Sequence, residues 1–316
     1  MPVLIGTDEA GYGPNLGPLL ITATAWRLPP EMSPDGLWDA FSDVLTNTPS
    51  RGDARLHVAD SKEVYSSSRS IASLERSVIA FLKAIGHPTE DAVSLGTGIS
   101  ESRFAADFSE AVGVDSELLS LPMKADLAAC EKAAQQLQKL FRDTQIQLLT
   151  IHSRVVFPPE FNAVVEQTRS KGVLLSDATL KLVRQCLDES GESSGWVFCD
   201  KHGGRNRYDD IIGAAFDDQF VFRLEESRSS SRYRVGELDF CFRTRAEELL
   251  PVALASMVSK YLRETVMEHF NAFWQQHVAG LRPTKGYPVD ALRFWEDIQS
   301  AAEGLEIRKE SIWRCR

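Results

Sequence analysis

Residues 3–14 read VLIGTDEAGYGP. The apolar run 3–7 is typical of a buried strand, which ends in the adjacent acids Asp8 and Glu9. Two neighbouring carboxylates at the end of a buried strand repel each other, and a divalent cation such as Mg²⁺ is the usual compensation. The glycines that follow let another backbone or a ligand approach closely. The opening therefore predicts a metal site beside a turn of bare backbone.

Composition sets wide limits on the class of protein. The chain has 316 residues, 43% of them hydrophobic and 25% charged, which is ordinary for one large or two smaller globular domains. The net charge of −10 argues mildly against nucleic-acid binding. It does not exclude a nuclease, because such a protein can place its acids at metals and its Lys and Arg along a local groove.

The five cysteines lie far apart with no Cys-x-x-Cys spacing, so they predict neither a zinc site nor a disulfide framework, and they indicate a reducing compartment. No apolar run approaches the roughly 18 residues that a membrane span needs. The first residues lead straight into a strand without a signal segment. We therefore expect a cytoplasmic protein with no membrane contact, and we expect it to be a monomer.

The hydrophobic periodicity alternates between strand and helix along the chain. Strands are predicted at 19–26, 145–153 and 196–199, and helices at about 68–85, 123–141, 251–274 and after an N-cap at Ser176. Strand-like runs at 220–224 and 233–242 flank the serine-rich residues 227–231, which predicts an antiparallel hairpin. Strands alternating with helices indicate an α/β layered fold.

Asp200 directly follows the predicted strand 196–199, just as Asp8 ends the first strand. Sites in open parallel sheets form at the carboxyl ends of the strands. If these two strands are neighbours, three carboxylates converge. The alternative is that Asp200 is only a helix cap or a turn residue.

Residues 6–26, GTDEAGYGPNLGPLLITATAW, resemble the start of ribonuclease HII, the type 2 ribonuclease H family. The resemblance implies a ribonuclease H-like mixed central sheet flanked by helices. Tyr12 departs from the family pattern, which has a basic residue between two glycines. Further similar stretches follow in order at 58–82, 153–188, 196–200, 245–270 and 282–312, so the resemblance touches about two thirds of the chain.

The family also uses a fourth acid, and residues 245–251 followed by VALASMVSKYLRE are similar to the segment that carries it. The resemblance assigns Glu247 to this position, where the family has Asp. Glu248 and Glu264 remain open because the match slips by one residue after Pro251. The alternative for Glu247 is a first-turn acid favoured by the helix dipole.

The resemblance also implies residues that read the substrate. Backbone groups of Gly11 and Gly13 would detect the ribose 2′-hydroxyl, and Tyr12 would stack on a base or sugar or hydrogen-bond a phosphate. Tyr287, in a segment similar to the family's Asn-Lys-Gly-Tyr, would pack beside the cut and read the DNA–RNA junction. A tyrosine that caps a turn is the alternative.

Phosphate contacts are implied for Ser61, Lys62 and Lys285, although 60–62 is also compatible with a simple capped helix start. Residues 201–208 follow Asp200 and carry four cationic or potentially cationic side chains, among them Arg205. They predict a loop that grips phosphate, with a solvated surface loop as the alternative. His202 is a candidate for protonating the leaving group.

These inferences predict an endoribonuclease that cuts RNA paired with DNA, including ribonucleotides embedded in DNA. It would leave 5′-phosphate and 3′-hydroxyl ends, with two Mg²⁺ or Mn²⁺ ions held by Asp8, Glu9, Asp200 and Glu247. The predicted catalytic domain spans 1–270, with insertions at about 100–145 and 201–244. Residues 271–316 would form a C-terminal helical extension beside the active site. A structure-specific DNA nuclease of the same fold and a catalytically inactive nucleic-acid-binding protein are the alternatives.

Overall fold

The structure is a computed structural model that describes residues 1–66, 70–100, 103–112, 119–203, 205–216 and 219–315. Its strands are β1 Val3–Ala10, β2 Leu19–Arg27, β3 Leu45–Thr46, β4 Leu56–His57, β5 Gln147–Val156, β6 Ser194–Asp200, β7 Val221–Glu226, β8 Ser230–Val235 and β9 Glu237–Arg243. Its α-helices are α1 Leu37–Ala40, α2 Ser61–Val64, α3 Ala72–Ala84, α4 Ala92–Ile99, α5 Phe104–Val112, α6 Leu127–Thr144, α7 Pro158–Thr168, α8 Lys171–Ser190, α9 Asp209–Ala215, α10 Leu250–His277, α11 Pro288–Gly304 and α12 Lys309–Ile312. Two 3₁₀ turns span Pro34–Gly36 and Ala246–Glu248.

A seven-stranded mixed sheet in the order β5-β2-β1-β6-β9-β8-β7 organises the molecule. β1 pairs antiparallel with β2 and parallel with β6, and β6 pairs parallel with β9. β3 and β4 form a separate two-stranded sheet. The mixed central sheet flanked by helices that the sequence predicts is therefore confirmed. Three neighbouring parallel strands, β1, β6 and β9, end at the same edge.

The predicted antiparallel hairpin is present as β7 and β8. The run 233–242, which the sequence predicts as one strand, is instead divided into β8 and β9, which pair antiparallel. Gly236 makes this turn with a φ of 54°, a left-handed conformation that glycine adopts without strain. As a result β9 reaches the middle of the sheet and runs beside β6.

Helices cover both faces of the sheet. One core joins α10 to β1, β2, α3 and α6, and the other lies beneath α8 and α9. α10 approaches β1 closely at Gly6, where a Cβ atom would lie 2.4 Å from the carbonyl carbon of Pro251. Thr24 also donates a hydrogen bond to the Pro251 carbonyl at 2.9 Å. These contacts hold the start of α10, and the turn before it, against the end of the sheet.

Several predicted boundaries move. The N-cap prediction at Ser176 is wrong, because Ser176 lies inside α8 and Ser170 caps that helix by accepting from the amide of Val173. The predicted helix 123–141 begins only at Leu127, since Asp126 is its N-cap. The predicted helix 68–85 is α3, and residues 67–69 lie outside the described part of the chain. Among the described residues, no helix is both long and apolar enough to cross a membrane.

Candidate metal centre

Four acids predicted from the sequence line one cavity at the edge where β1, β6 and β9 end: Asp8, Glu9, Asp200 and Glu247. Asp8 and Glu9 belong to the last residues of β1, and Asp200 ends β6. Glu247 lies in the 3₁₀ turn that follows β9. Parallel pairing brings the carboxyl ends of these strands together, as expected for a site in an open sheet.

The carboxylates carry more negative charge than their surroundings balance. Burial and then the Glu9 charge hold the pKa of Asp8 well above its ordinary value. Burial and then Asp200 raise the pKa of Glu9 to about 7. Burial raises the pKa of Asp200 and of Glu247 as well. Four neighbouring carboxylates can all be ionised readily only when positive charge lies close to them.

The donor chemistry fits a hard divalent cation, because these four donors are all carboxylates. In the described part of the chain, however, no three His, Cys, Asp or Glu side chains are gathered closely enough to hold a metal ion as they stand. The residues fit the metal in donor chemistry and in their shared cavity, but not in the spacing that the structure gives them.

Lys62 is a cation that faces this group. Its side chain lines the cavity, and Asp60, Asp8 and Glu247 raise its pKa. Asp60 caps α2 by accepting from the amide of Lys62 at 3.0 Å, so the predicted capped helix start is present. Ser61 is buried, and its hydroxyl accepts from Ser256 at 3.1 Å. Nζ of Lys62 lies 4.0 Å from Oδ2 of Asp60, and its side chain is 89% exposed, so it can also meet an anion, whereas the Ser61 hydroxyl accepts from Ser256.

The three acids left open for the fourth position have different environments. Glu247 lines the cavity. Glu248 is exposed and pairs with Arg243. Glu264 is 3% exposed and pairs with Lys260 and Lys285, which lowers the pKa of its carboxyl despite burial. The geometry favours Glu247.

Two buried arginines support the glycine turn beside the acids. Gly11 has a φ of 87°, and a Cβ atom there would lie 2.6 Å from Nε of Arg263. Arg263 donates to the carbonyls of Leu16 and Lys285, each at 3.1 Å. Arg314 donates to the carbonyl of Gly11 at 2.6 Å and to that of Pro14. The sequence alone gave no signal for Arg314, which is brought to the turn from near the C-terminus.

Tyr12 is half-buried in this turn. Nζ of Lys171 lies 4.5 Å from the centre of its ring, within the range of a cation–π contact. Burial and then Glu9 raise the pKa of Tyr12, while Arg205 opposes them. Position 12 is uncharged, but Lys171 lies over its ring and Arg205 is near enough to affect its pKa. Gly13 is exposed, and a Cβ atom there would meet nothing within 4 Å.

Tyr287 is 56% exposed at the start of α11. Its segment is joined to the glycine turn because the Gly286 carbonyl accepts from the amides of Asn15 at 2.7 Å and Leu16 at 3.2 Å. Lys285 is paired with Glu264, so its charge is largely neutralised. The structure thus brings Tyr287 and the glycine turn together and leaves the tyrosine ring accessible.

The loop after Asp200 has a different construction from the predicted phosphate grip. Nζ of Lys201 donates to Oδ1 of Asn206 at 2.9 Å, the Ser227 carbonyl at 2.7 Å and Oγ of Ser231 at 3.1 Å, so it braces the loop. His202 is buried against Tyr208 and Phe242, and burial lowers its pKa to about 3.

A neutral, buried imidazole that is hydrogen-bonded to Ser176 at 3.0 Å is a structural group, so the proposed proton donation by His202 is not supported. Gly204 lies outside the described residues. Arg228 and Arg245 line the carboxylate cavity, and sequence reasoning missed both.

Comparison with known proteins adds a modest likeness. No protein-family model matches the chain, and no curated protein does. RNase HII from Archaeoglobus fulgidus, solved in a complex with PCNA, is 12% identical with a TM-score of 0.43, over 99% of this chain and 94% of that one. Ribonuclease H2 from Pyrococcus horikoshii OT3 is 15% identical with a TM-score of 0.42, over 98% and 92%. Bst-RNase HIII in complex with Mn²⁺ is 12% identical with a TM-score of 0.42, over 99% and 66%.

Proposed function

We propose that this chain is a metal-dependent endoribonuclease that cuts RNA paired with DNA, including ribonucleotides embedded in DNA. It would leave 5′-phosphate and 3′-hydroxyl ends. The observation that carries the proposal is the meeting of Asp8, Glu9, Asp200 and Glu247 in one cavity beside the turn at Gly11. Hydrolysis of a phosphodiester at such a site needs no protein nucleophile.

Two Mg²⁺ or Mn²⁺ ions, held by these four carboxylates, would supply an activated water and stabilise the departing 3′ oxygen. The side chains around them have separate tasks. Lys62 balances the charge of the acids and meets a substrate phosphate. Ser256 lines the same cavity as Asp8 and holds the Ser61 hydroxyl in place.

Recognition of RNA requires contact with the 2′-hydroxyl. We assign this contact to backbone groups of Gly11 and Gly13, with Tyr12 packed against the sugar or base. Tyr287 would contact the nucleotide beside the cut from the opposite side of the turn. Phosphates would be held by Ser61, Lys62, Arg205 and Lys285, although Lys285 must then share its charge with Glu264.

We further propose a catalytic domain at 1–270 with additions at about 100–145 and 201–244, and a helical extension at 271–316. α10 runs through residue 270 without a break, and β9 belongs to the central sheet. The proposed catalytic domain is therefore continuous with the helical extension through α10, and the addition at 201–244 contributes a strand to the central sheet. The working unit is proposed to be a cytoplasmic monomer.

The test is a cleavage assay with four labelled duplexes: DNA with one ribonucleotide, DNA with several, a full RNA–DNA hybrid and all-DNA. Mg²⁺ and Mn²⁺ are supplied separately, and Asp8→Asn is the control. Cutting of ribose-containing strands by the wild type alone, with 5′-phosphate products, is the expected result. Absence of cutting in every duplex under both metals would contradict the proposal and favour an inactive nucleic-acid-binding protein.

A structure-specific DNA nuclease is the second candidate. Tyr12 motivates it, because the turn lacks its own charged residue and the surrounding cations Lys171 and Arg205 contact phosphate without sensing ribose. Cutting of the all-DNA duplex at a rate similar to that of the hybrid would favour this candidate.

A further inference from the structure

Strands β7, β8 and β9 extend the sheet sideways from the carboxylate cavity. Along β8 the side chains alternate: Ser231, Tyr233 and Val235 are buried, while Arg232 and Arg234 are exposed. The buried set faces the core beneath α8 and α9. The opposite side of these strands is therefore open to solvent.

Positive charge continues from the cavity onto this open side. Arg228, in the turn between β7 and β8, and Arg245, after β9, line the same cavity as Asp200. Arg232 lies further along β8, is exposed, and is opposite Glu225 in the β7–β8 pairing. Among the described residues, none of these three arginines forms a salt bridge. By contrast, Arg234 is paired with Asp239 at 2.6 Å.

Large apolar side chains lie at the outer strand of the same region. Phe220 is 85% exposed, Phe222 61% and Leu224 52%. Phe222 is opposite Arg234 in the β7–β8 pairing, so it lies on the open side. Exposed aromatic rings that share a face with arginines are typical of surfaces that bind nucleic-acid strands through phosphates, sugars and bases.

We propose that this open side, the β7–β9 face (Phe222, Arg228, Arg232 and Arg245), binds the flank of the nucleic acid that leaves the carboxylate cavity. The inference rests on the proposed function, since the occupant of the cavity is taken to be a polynucleotide. The arginines hold backbone phosphates, and Phe222 contacts sugar and base surfaces. A six-residue strand spans about 20 Å, so the face covers about five or six base pairs.

The decisive variant removes two charges of this face, Arg228→Gln with Arg232→Gln. Its matched control removes two charges from the opposite face of the sheet, Lys181→Gln with Arg184→Gln on α8. All four side chains are exposed, so thermal melting of both variants should match the wild type. Affinity for a long duplex with one central ribonucleotide is measured by fluorescence anisotropy, with Ca²⁺ in place of Mg²⁺.

The Arg228/Arg232 variant should raise Kd by about tenfold or more, and reduce the slope of log K against log salt by about 0.9 per lost contact. The control should change Kd less than about twofold. Phe222→Ser should raise Kd about fivefold, as expected for one lost ring contact. With duplexes trimmed close to the ribonucleotide on one side or the other, the effect of the arginine variant should disappear for one of the two.

Equal affinities of the arginine variant and its control for every duplex would overturn the proposal. Unchanged duplex affinity with concentration-dependent self-association that Phe222→Ser abolishes would also overturn it, in favour of a second copy of this chain as the occupant. The proposed function fails separately: the expected binding pattern in a protein that cuts no ribose-containing strand would support the β7–β9 face and reject the ribonuclease.

Discussion

Two regions of this molecule bury carboxylates in opposite ways. Glu75 on α3 is fully buried, and its carboxylate accepts from the amides of Met123 at 2.6 Å and of Lys124 and Ala125, each at 2.7 Å. The Tyr261 hydroxyl also donates to it at 2.7 Å. Several donors thus satisfy one buried charge, as stability requires.

The carboxylate cavity has the reverse balance. Asp8, Glu9 and Asp200 are half-buried against one another, and mutual repulsion adds to burial in raising the pKa of Asp8 and Glu9. Where a carboxylate serves the fold, the chain supplies its partners. Where carboxylates remain short of partners, we expect a partner from outside the chain, and this contrast supports the proposal that the cavity is the functional site.

The largest expected effect is on catalysis. Asp8→Asn should lower the cleavage rate by about 10³-fold or more, because it removes a charged ligand at the centre of the site. It should not lower the melting temperature, since it also removes repulsion with Glu9. A clear loss of stability, measured by thermal unfolding, would mean that Asp8 serves the fold as Glu75 does.

Glu75→Gln should produce the opposite result. The substitution replaces one carboxylate oxygen by an NH₂ group, which then faces hydrogen-bond donors and cannot accept from them. We therefore expect the free energy of unfolding to fall by about 3 kcal/mol. Cleavage by the folded fraction should be nearly unchanged. Urea unfolding measures the effect, with the exposed Glu131→Gln as the matched control. If Glu75→Gln were as stable as the control, Glu75 would not stabilise the fold as we infer.

Glu247→Gln and Glu248→Gln form a matched pair of adjacent acids. Glu247→Gln should lower the cleavage rate by about 10²-fold, since it removes one charged oxygen from the cavity. Glu248→Gln loses only its exposed pair with Arg243 and should change the rate less than about twofold. Rates measured at saturating metal decide between them. The reverse order would move the fourth acid to Glu248.

Arg314 tests whether the turn beside the acids needs its buried brace. Arg314→Met removes the donors to the Gly11 and Pro14 carbonyls, and we expect a loss of about 2 kcal/mol in stability. KM for the duplex should rise several-fold more than kcat falls, because the turn binds substrate and does not carry the reaction. Arg314→Lys should recover part of both, and the exposed Arg282→Met should leave both unchanged.

The smallest expected effect is that of added metal on stability. At a concentration about ten times Kd, Mg²⁺ or Mn²⁺ should stabilise the wild type by about 1.4 kcal/mol and raise the melting temperature by roughly 2–4 °C. The shift should disappear in Asp8→Asn and persist in Glu75→Gln. A shift of equal size in all three proteins would mean that the ion binds outside the carboxylate cavity.

Much of the site can be predicted from local sequence. An apolar run that ends in acids predicts a strand with carboxylates at its end, and this holds for both β1 and β6. Parallel neighbours then bring such ends together without knowledge of any other contact. The turn at Gly11 can also be predicted from local sequence, because a glycine next to the acids lets another backbone approach closely.

Other parts of the site could not be predicted locally. The sequence predicts Ser176 as an N-cap, but Ser176 lies inside α8 and is hydrogen-bonded to His202, whereas Ser170 caps the helix. The sequence of 201–208 suggested free cations, but the Lys201 ammonium donates three hydrogen bonds within the protein. Two of them go to Ser227 and Ser231, which are distant in the chain. Charge along a chain does not reveal whether a partner will be found elsewhere.

Local sequence is enough to predict an α/β layered fold and acids at the ends of its strands, because periodicity and strand termination are properties of neighbouring residues. The mixed central sheet was expected only from the family resemblance of residues 6–26. Only the tertiary structure decided that β9 runs beside β6, that Arg314 braces the turn at Gly11, and that Arg228 and Arg245 line the cavity. These contacts join residues remote from each other in the chain. They depend on how layers pack and where buried donors find acceptors, which no local pattern encodes.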